Sequence, residues 1–274
     1  MTLVYACIAP HGSEIVPRLA GKKAGAFTPT RDGMKQLAAG LRTAAPGTVV
    51  VASPHNLRLK EHIGIVTSEN SSGVVAEGGG KISVKAKCDK DFAEKLLGAA
   101  EARGLPVVGA NYGTNQGPLS DLPMDFGTLI PLWFFLGSRP KPKVVIVTPS
   151  RETPPSMNVE FGRVLGALAH SQETKIAFVA SADQAHTHMK SGPYGFSETA
   201  EVYDRAVLDA VERNRLGELT NIPQDTIEAA KPDSFWQMIM LHGVIDGRGM
   251  KPHLYSYQVP TYYGMMCVGY SRGR

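Results

Sequence analysis

Three histidines in this chain lie just beyond apolar segments that are typical of buried strands. His11 stands in "ACIAPHGSE", His55 in "VVVASPHN" and His186 in "FVASADQAH". A lone histidine in such a place is more often a surface or hydrogen-bonded residue than a ligand. Three in the same setting instead predict one shared site, and paired neutral imidazoles suit a divalent transition metal.

Both His11 and His55 directly follow a proline, Pro10 and Pro54. Proline fixes its own φ at about −65° and so limits where the next side chain can point, which is one way to aim an imidazole. The alternative is that the two prolines only terminate strands. A carboxylate beside the two imidazoles would complete the facial triad of non-haem Fe(II) enzymes, which leaves positions open for further ligands.

The apolar segments that would carry these histidines recur at 3–9, 48–53, 144–149, 175–181 and 265–270. Their apolar character is continuous rather than alternating, as expected for strands covered on both faces. Helical patterns lie between them, at 31–44, 90–103, 127–137, 157–170, 197–213 and 224–246. This alternation predicts an α/β fold in which helices cover both faces of a central, mostly parallel or mixed sheet.

We expect a single catalytic domain over residues 1–274, because no linker or repeat divides the chain. The segment 58–88 contains a glycine turn between two short apolar runs and predicts an antiparallel excursion from the main sheet. In open sheets of this class, ligands collect outside the carboxyl ends of the strands. The three histidines are therefore expected to meet at one edge.

Composition excludes several other classes of protein. The chain is 43% hydrophobic and 20% charged, and its net charge of +4 is scattered rather than gathered into a basic stripe, so we expect no nucleic-acid partner. Its apolar runs are too short to span a bilayer, and the first residues form no basic leader, so we expect a cytoplasmic protein with no membrane partner. The three cysteines are far apart, which argues against a disulfide framework or a zinc ribbon.

Several segments, in order along nearly the whole chain, resemble the class III extradiol ring-cleavage dioxygenases, the superfamily of the protocatechuate 4,5-dioxygenase beta subunit. They are "CIAPHGSEIVP", "VVVASPHN", "MDFGTLIPLWFF", "VASADQAHTHMKSGPYGF" and "YSYQVPTYYGMMCVGY". The resemblance implies an oxidoreductase of aromatic compound catabolism that uses Fe(II), or another divalent metal such as Zn or Mn. Its substrates would be dioxygen and a small catechol or aminophenol, and we expect a homo-oligomer or an assembly with a partner subunit.

The resemblance also assigns roles to residues. His11 and His55 match the two iron histidines, and His186 matches the histidine that acts as acid and base toward a substrate hydroxyl. An imidazole suits that task because its unperturbed pKa lies near neutrality. His188 either assists in catalysis or is exposed to solvent.

The third metal ligand departs from the family pattern. The family has a glutamate early in a late helix, and alignment places Ser234 at that position. Asp233 is the nearest carboxylate and our predicted ligand, whereas Glu228 lies further upstream. The alternative for Asp233 is a helix cap, a role for which Ser234 competes.

Four aromatic residues are predicted to contact the substrate: Phe126, Tyr194, Tyr262 and Tyr263. Phe126 stands where several relatives have a histidine and cannot transfer a proton. Either His186 alone transfers protons to and from the substrate, or the substrate is not an ordinary catechol, or activity is reduced. Packing alone would also explain the adjacent tyrosines Tyr262 and Tyr263.

Two other functions stay open at this point. The missing glutamate and Phe126 favour a non-catalytic accessory or binding member of the same superfamily, whereas the two aimed imidazoles disfavour it. A metal-dependent hydrolase on the same scaffold is the other alternative.

Overall fold

The computed structural model describes residues 2–137 and 141–273. Strands in this part of the chain form an eight-stranded sheet and a three-stranded sheet. The strands are β1 (Leu3–Ala9), β2 (Thr48–Ala52), β3 (Ile63–Val66), β4 (Asn70–Glu77), β5 (Gly80–Lys87), β6 (Val107–Ala110), β7 (Asp121–Pro123), β8 (Lys143–Thr148), β9 (Ile176–Ser181), β10 (Lys251–Gln258) and β11 (Met265–Ser271).

Helices separate most of these strands. The α-helices are α1 (Pro17–Ala20), α2 (Thr28–Ala44), α3 (Lys90–Glu101), α4 (Phe126–Phe135), α5 (Pro155–Ser171), α6 (Thr199–Glu212), α7 (Gln224–Ala230) and α8 (Phe235–Ile245). Short 3₁₀ helices span Ser13–Ile15, Gly21–Phe27 and Leu216–Asn221.

The large sheet has the order β10-β11-β1-β9-β2-β8-β3-β6. Its centre is parallel, since β9 pairs in parallel with both β1 and β2, and β2 pairs in parallel with β8. The flanking pairs β1–β11 and β3–β8 are antiparallel. The carboxyl ends of the four central strands therefore share one edge, and the predicted α/β fold with a mostly parallel, mixed sheet is confirmed.

Alternate side chains of the central strands enter two hydrophobic layers. In β1, Ala6 and Ile8 pack with helices α3, α5, α6 and α8 on one face. Tyr5 and Cys7 pack with α2, α4 and the three-stranded sheet on the other. Burial on both faces is why the strands are apolar throughout, because neither set of side chains meets water.

The predicted helix over 224–246 is wrong in one respect, because it is two helices. Lys231 ends α7 in the left-handed region at φ 51°, and α8 begins only at Phe235. Pro232 lies in the break, where its ring and missing N–H oppose a continuous helix. The break matters for the site, since it contains Asp233.

The predicted antiparallel excursion holds for β4 and β5, which form a hairpin in the small sheet. The preceding strand, β3, instead joins the large sheet. Strands β6, β7 and β10 were not predicted, because the first two are short and β10, at the sheet edge, alternates polar and apolar residues. Among the described residues, no helix has the length and apolar character needed to cross a membrane.

Candidate metal centre

Three neighbouring strands deliver the predicted histidines to one place. His11 follows β1, His55 follows β2, and His186 follows β9, which lies between them in the sheet. The strands are parallel, so their carboxyl ends lie side by side and short loops suffice to bring the three imidazoles together. A cavity of about 560 Å³ opens above them and is lined by all three rings.

Two of the imidazoles face one another through the same ring atom. The Nε2 atoms of His11 and His55 lie 3.2 Å apart, and an Asp233 carboxylate oxygen lies 3.1 Å from Nε2 of His55. One ligand atom from each of the three residues falls within 4.8 Å of the others. Adjacent donors at about 2.1 Å from one metal ion stand about 3 Å apart, so the spacing fits a metal centre.

The hydrogen bond at Nδ1 of His11 determines which ring nitrogen of this residue carries the lone pair. The Ser181 hydroxyl donates its single proton to the Gly127 carbonyl oxygen, and it lies 3.0 Å from Nδ1 of His11. Because the hydroxyl proton is used in that bond, the Ser181 oxygen can only accept a hydrogen bond, and it accepts it from Nδ1–H of His11. The lone pair of neutral His11 therefore sits on Nε2, as metal-ligating histidines require.

Asp233 reaches the cluster from the break between α7 and α8. Its carboxylate accepts a hydrogen bond from Arg151 at 2.9 Å and contacts His55, and it makes no capping bond to α8. Burial raises the pKa of this carboxyl, but the hydrogen bond and charge of His55, together with His11 and His186, hold it well below its usual range. Asp233 is thus a carboxylate at neutral pH.

The rival candidates for the third ligand lie elsewhere. The hydroxyl of Ser234 is buried and bonds the hydroxyl of Tyr203 at 2.8 Å. Glu228 is exposed on α7 and accepts a hydrogen bond from Gln224. Among the described residues, the carboxylate that joins both histidines is that of Asp233.

A second carboxylate, Asp183, was not predicted as a site residue. It accepts a hydrogen bond from the backbone N–H of His11 at 3.1 Å, and its other oxygen lies 3.2 Å from Nε2 of His11. Burial raises the pKa of Asp183 well above its usual range, and burial with the neighbouring His55 lowers that of His11. Its position directly after β9 could have identified Asp183 as a site residue, because the same reasoning identified His186.

Arg151 was also missed, although it follows β8 in the same way that the histidines follow their strands. Its guanidinium group binds Asp233 and stacks over Trp236, with its central carbon 4.7 Å from the ring centroid. Arg151 therefore holds one carboxylate oxygen of Asp233, whereas His55 contacts the other.

His186 lies beside the cluster rather than in it. Its Nε2 is 3.7 Å from the Asp233 carboxylate, and its ring stacks on Tyr263 with 5.1 Å between centroids. Its Nδ1 is buried without a hydrogen-bond partner among the described residues. Burial lowers the pKa of His186, so the neutral imidazole, which can accept a proton, is favoured.

His188 points away from the cavity, although it lies only two residues beyond His186. Its Nε2 lies 2.9 Å from the buried carboxylate of Asp204. Asp204 also accepts from the Tyr257 hydroxyl at 2.7 Å and from the Ala185 N–H at 2.9 Å. This arrangement favours a structural role for His188, in which it helps Asp204 hold the loop that carries His186.

The four predicted aromatic residues all line the cavity: Phe126, Tyr194, Tyr262 and Tyr263. Phe126 is 45% exposed and lies against His55, with 4.3 Å between ring centroids. The Tyr263 hydroxyl donates to Glu14 at 2.8 Å, and burial raises its pKa well above 10. Strand β4 and the residues that directly follow His11 also line the cavity. The part from β4 was not predicted because its residues share no motif with the site.

Comparison with known proteins adds a family to this geometry. Residues 5–267 match the model of a family described as the catalytic LigB subunit of aromatic ring-opening dioxygenase. Protein CA_C1420 of Clostridium acetobutylicum is 22% identical over 264 residues, which is 96% of this chain and 55% of that protein. The chain thus spans about half the length of this curated relative.

A solved structure shares the fold. The crystal structure of the uncharacterized protein JW3007 from Escherichia coli K12 matches with a TM-score of 0.62 at 17% identity, over 98% of this chain and 100% of that one. At such low identity the likeness concerns the fold alone.

Proposed function

The chain belongs to the family of the catalytic LigB subunit of aromatic ring-opening dioxygenase, and on that premise we propose that it is an Fe(II)-dependent extradiol-type dioxygenase. Its substrate is a small catechol or aminophenol. His11, His55 and Asp233 hold the metal, His186 moves protons, and the aromatic residues of the cavity orient the ring. Residues 1–274 form one catalytic domain.

One observation carries this proposal. The two imidazoles bring their Nε2 atoms within 3.2 Å of each other, and the ionised carboxylate of Asp233 lies 3.1 Å from one of them. Two histidines and one carboxylate are the donor set of non-haem Fe(II) oxygenases, and Fe(II) bound there would bring adjacent substrate oxygens and dioxygen together.

The residues around the donors have separate tasks. Neutral His186 accepts a proton from a substrate hydroxyl and returns it when the ring opens, as general acid–base catalysis requires. Tyr263 holds this imidazole in place by stacking on it. Phe126 places an apolar ring against His55 and so gives that side of the metal donors an apolar surface.

His186 is the sole proton carrier in this scheme. Phe126 has no ionisable group, and His188 is bonded to Asp204 outside the cavity. His188 is accordingly a positioning residue for the loop rather than a second acid or base.

The test is anaerobic reconstitution with Fe(II), Zn(II) or Mn(II), followed by oxygen-uptake measurements on a panel of catechols and aminophenols. We expect one Fe(II) per chain and oxygen consumption that depends on both iron and a diol. Hydrolytic activity with zinc and no oxygen uptake would indicate the hydrolase. Failure to bind any of the three metals would indicate an accessory protein.

A further inference from the structure

The backbone of Asp233 is fixed even though the residue lies outside any helix, in the break between α7 and α8. Its N–H donates to the Asp183 carbonyl at 3.1 Å. Its own carbonyl accepts a hydrogen bond from the side chain of Gln237, which also donates to the Ser181 carbonyl at 2.9 Å. The main chain at Asp233 is therefore tied to the end of β9, and only the side-chain torsions remain to be set.

The two carboxylate oxygens of Asp233 have different partners. Oδ2 faces the histidines, at 3.1 Å from Nε2 of His55 and 3.7 Å from Nε2 of His186. Oδ1 accepts a hydrogen bond from Nη2 of Arg151 at 2.9 Å. Because Arg151 holds Oδ1, Oδ2 is the oxygen turned towards the other metal donors.

The same nitrogen of Arg151 makes a second contact. Nη2 also donates to the Pro54 carbonyl at 3.4 Å, and Pro54 directly precedes His55. The loop that carries His55 and the break that carries Asp233 thus meet at one guanidinium nitrogen. Arg151 itself follows β8, so a third segment of the chain links these two predicted ligands.

The guanidinium group of Arg151 is held in turn by an aromatic ring. Its central carbon lies 4.7 Å from the ring centroid of Trp236, and the side chain is 23% exposed. Trp236 stands in the first turn of α8, three residues after Asp233. Stacking on an aromatic face and the planar, rigid fork of arginine both limit the freedom of the donor that reaches Asp233.

Electrostatic repulsion and positioning predict opposite effects of Arg151 on metal binding. A guanidinium group this close to the donors repels a divalent cation, so by charge alone its removal would strengthen metal binding. If Arg151 instead holds Asp233 in place, its removal weakens metal binding. The direction of the change therefore distinguishes the two.

We propose that Arg151 is a positioning residue for the metal centre. It holds Oδ1 of Asp233 and the Pro54 carbonyl, so that Oδ2 of Asp233 and Nε2 of His55 are presented together as donors. Partners of metal ligands typically contribute about 10- to 100-fold to metal affinity. The inference rests on the proposed function, since it requires His55 and Asp233 to bind a metal, and it deepens that function by adding a residue that supports the ligands.

Titration of the metal-free protein with Co(II), used in place of Fe(II) because it is stable in air, tests this role. Visible absorption reports binding, with a competing chelator where binding is tight, and circular dichroism checks the fold. We expect Arg151→Gln to bind Co(II) about 10- to 100-fold more weakly than the wild type. Wild-type or tighter binding by this variant would overturn the proposal.

Arg58→Gln is the matched control. Arg58 and Arg151 line the same cavity beside the metal cluster, so both variants remove one positive charge from its wall. The ion pairs of Asp233 among the described residues are with Arg151, His55 and His186, and not with Arg58. Arg58→Gln should therefore bind Co(II) at least as tightly as the wild type, and a loss equal to that of Arg151→Gln would contradict a specific role for Arg151.

A double variant tests whether Arg151 acts through Asp233. In an Asp233→Ala background, Arg151→Gln should weaken Co(II) binding by no more than about twofold, because no carboxylate is left to hold. The same 10- to 100-fold loss in both backgrounds would show that Arg151 acts by another route, and the inference would fail while the proposed function stands. If the wild type binds no metal, the proposed function fails and this inference fails with it.

Discussion

The Nε2 atoms of His11 and His55 lie 3.2 Å apart, although 44 positions separate the two residues in the chain. The loops after β1 and β2 bring them together across β9. Ser181, the last residue of β9, holds Nδ1 of His11 and so aims its other nitrogen at His55. The pair is therefore built by three adjacent parallel strands.

The first prediction concerns this pair. His11→Ala or His55→Ala should abolish stoichiometric Fe(II) binding, because each removes one imidazole donor. Metal content is measured after anaerobic loading, with circular dichroism to check the fold. His170→Ala is the control, since His170 is exposed at the end of α5, and it should load fully. Full loading of either cluster variant would rule out the centre.

Replacement of Asp233 tests whether this residue is a metal ligand or only a structural carboxylate. Asp233→Asn should weaken Fe(II) affinity by about 100-fold or more, since the neutral amide is a poor metal donor and even partners of the ligands contribute up to about 100-fold. A helix-capping residue would instead cost about 0.5–2 kcal/mol of stability and leave metal binding intact. Fe(II) titration and urea unfolding of the same variant distinguish the two outcomes.

His186 and His188 are predicted to differ sharply. His186→Gln should keep iron and bind a catechol but lose about 10²- to 10⁴-fold in turnover, the usual contribution of a general acid or base. His188→Gln is the matched comparison, because glutamine can still donate to Asp204, and it should lose far less. Oxygen uptake at saturating substrate measures both. Equal losses would contradict the assignment of proton transfer to His186 alone.

Asp204 is predicted to stabilise the loop that carries His186. It is 1% exposed and accepts bonds from His188, Tyr257 and the Ala185 N–H, so Asp204→Ala leaves buried donors without an acceptor. We expect the free energy of unfolding to fall by about 2–5 kcal/mol. Asp209→Ala, on the exposed face of the same helix, should change it by no more than about 0.5 kcal/mol. Similar values for the two variants would contradict the role of the buried carboxylate.

Stability should decrease in alkaline solution, in part through Cys88. Burial, with a smaller effect of Asp121, raises the pKa of its thiol from 9.0 to about 12. The unfolded chain then loses this proton before the folded one does, so the contribution to stability is complete below pH 9 and is lost as pH rises towards 12. The loss is at most about 1.4 kcal/mol per pH unit.

Urea unfolding of the wild type and of Cys88→Ala between pH 8 and pH 10.5 tests this point. The variant starts from a lower stability because of the cavity it creates, but its decline with pH should be shallower. Parallel declines would show that the Cys88 thiol does not ionise on unfolding.

Continuous apolar strands and the short polar stretches that follow them were enough to predict the α/β fold, the sheet edge and the two histidines. These features are local, since a strand covered on both faces must be apolar along its length and its end can be read from the first polar residue. Three of the five segments that carry the resemblance to the dioxygenase family are these same strand ends. The replacement of the family's glutamate by Ser234 could also be recognised from the sequence, because it concerns the type of one residue.

Tertiary structure alone decided which further polar residues contact these histidines. Strand order places β9 between β1 and β2, so Asp183 and Ser181 contact His11, whereas nothing in the spacing of these residues predicts it. The turn of the loop after β9 sends His186 into the cavity and His188 to Asp204. Side-chain direction in a loop depends on its long-range contacts, and here those come from α6, α7 and β10.

Asp233, the third predicted ligand, shows the same division between sequence and tertiary structure. The sequence identified Asp233 as a candidate but left a cap and a ligand equally open, because both roles occur at the start of a helix. Pro232 breaks the predicted helix, and the break turns Asp233 towards His55 and Arg151. Residue type determined what Asp233 could bind, whereas the packing of three distant segments determined what it faces, because charges act through distance in space and not along the chain.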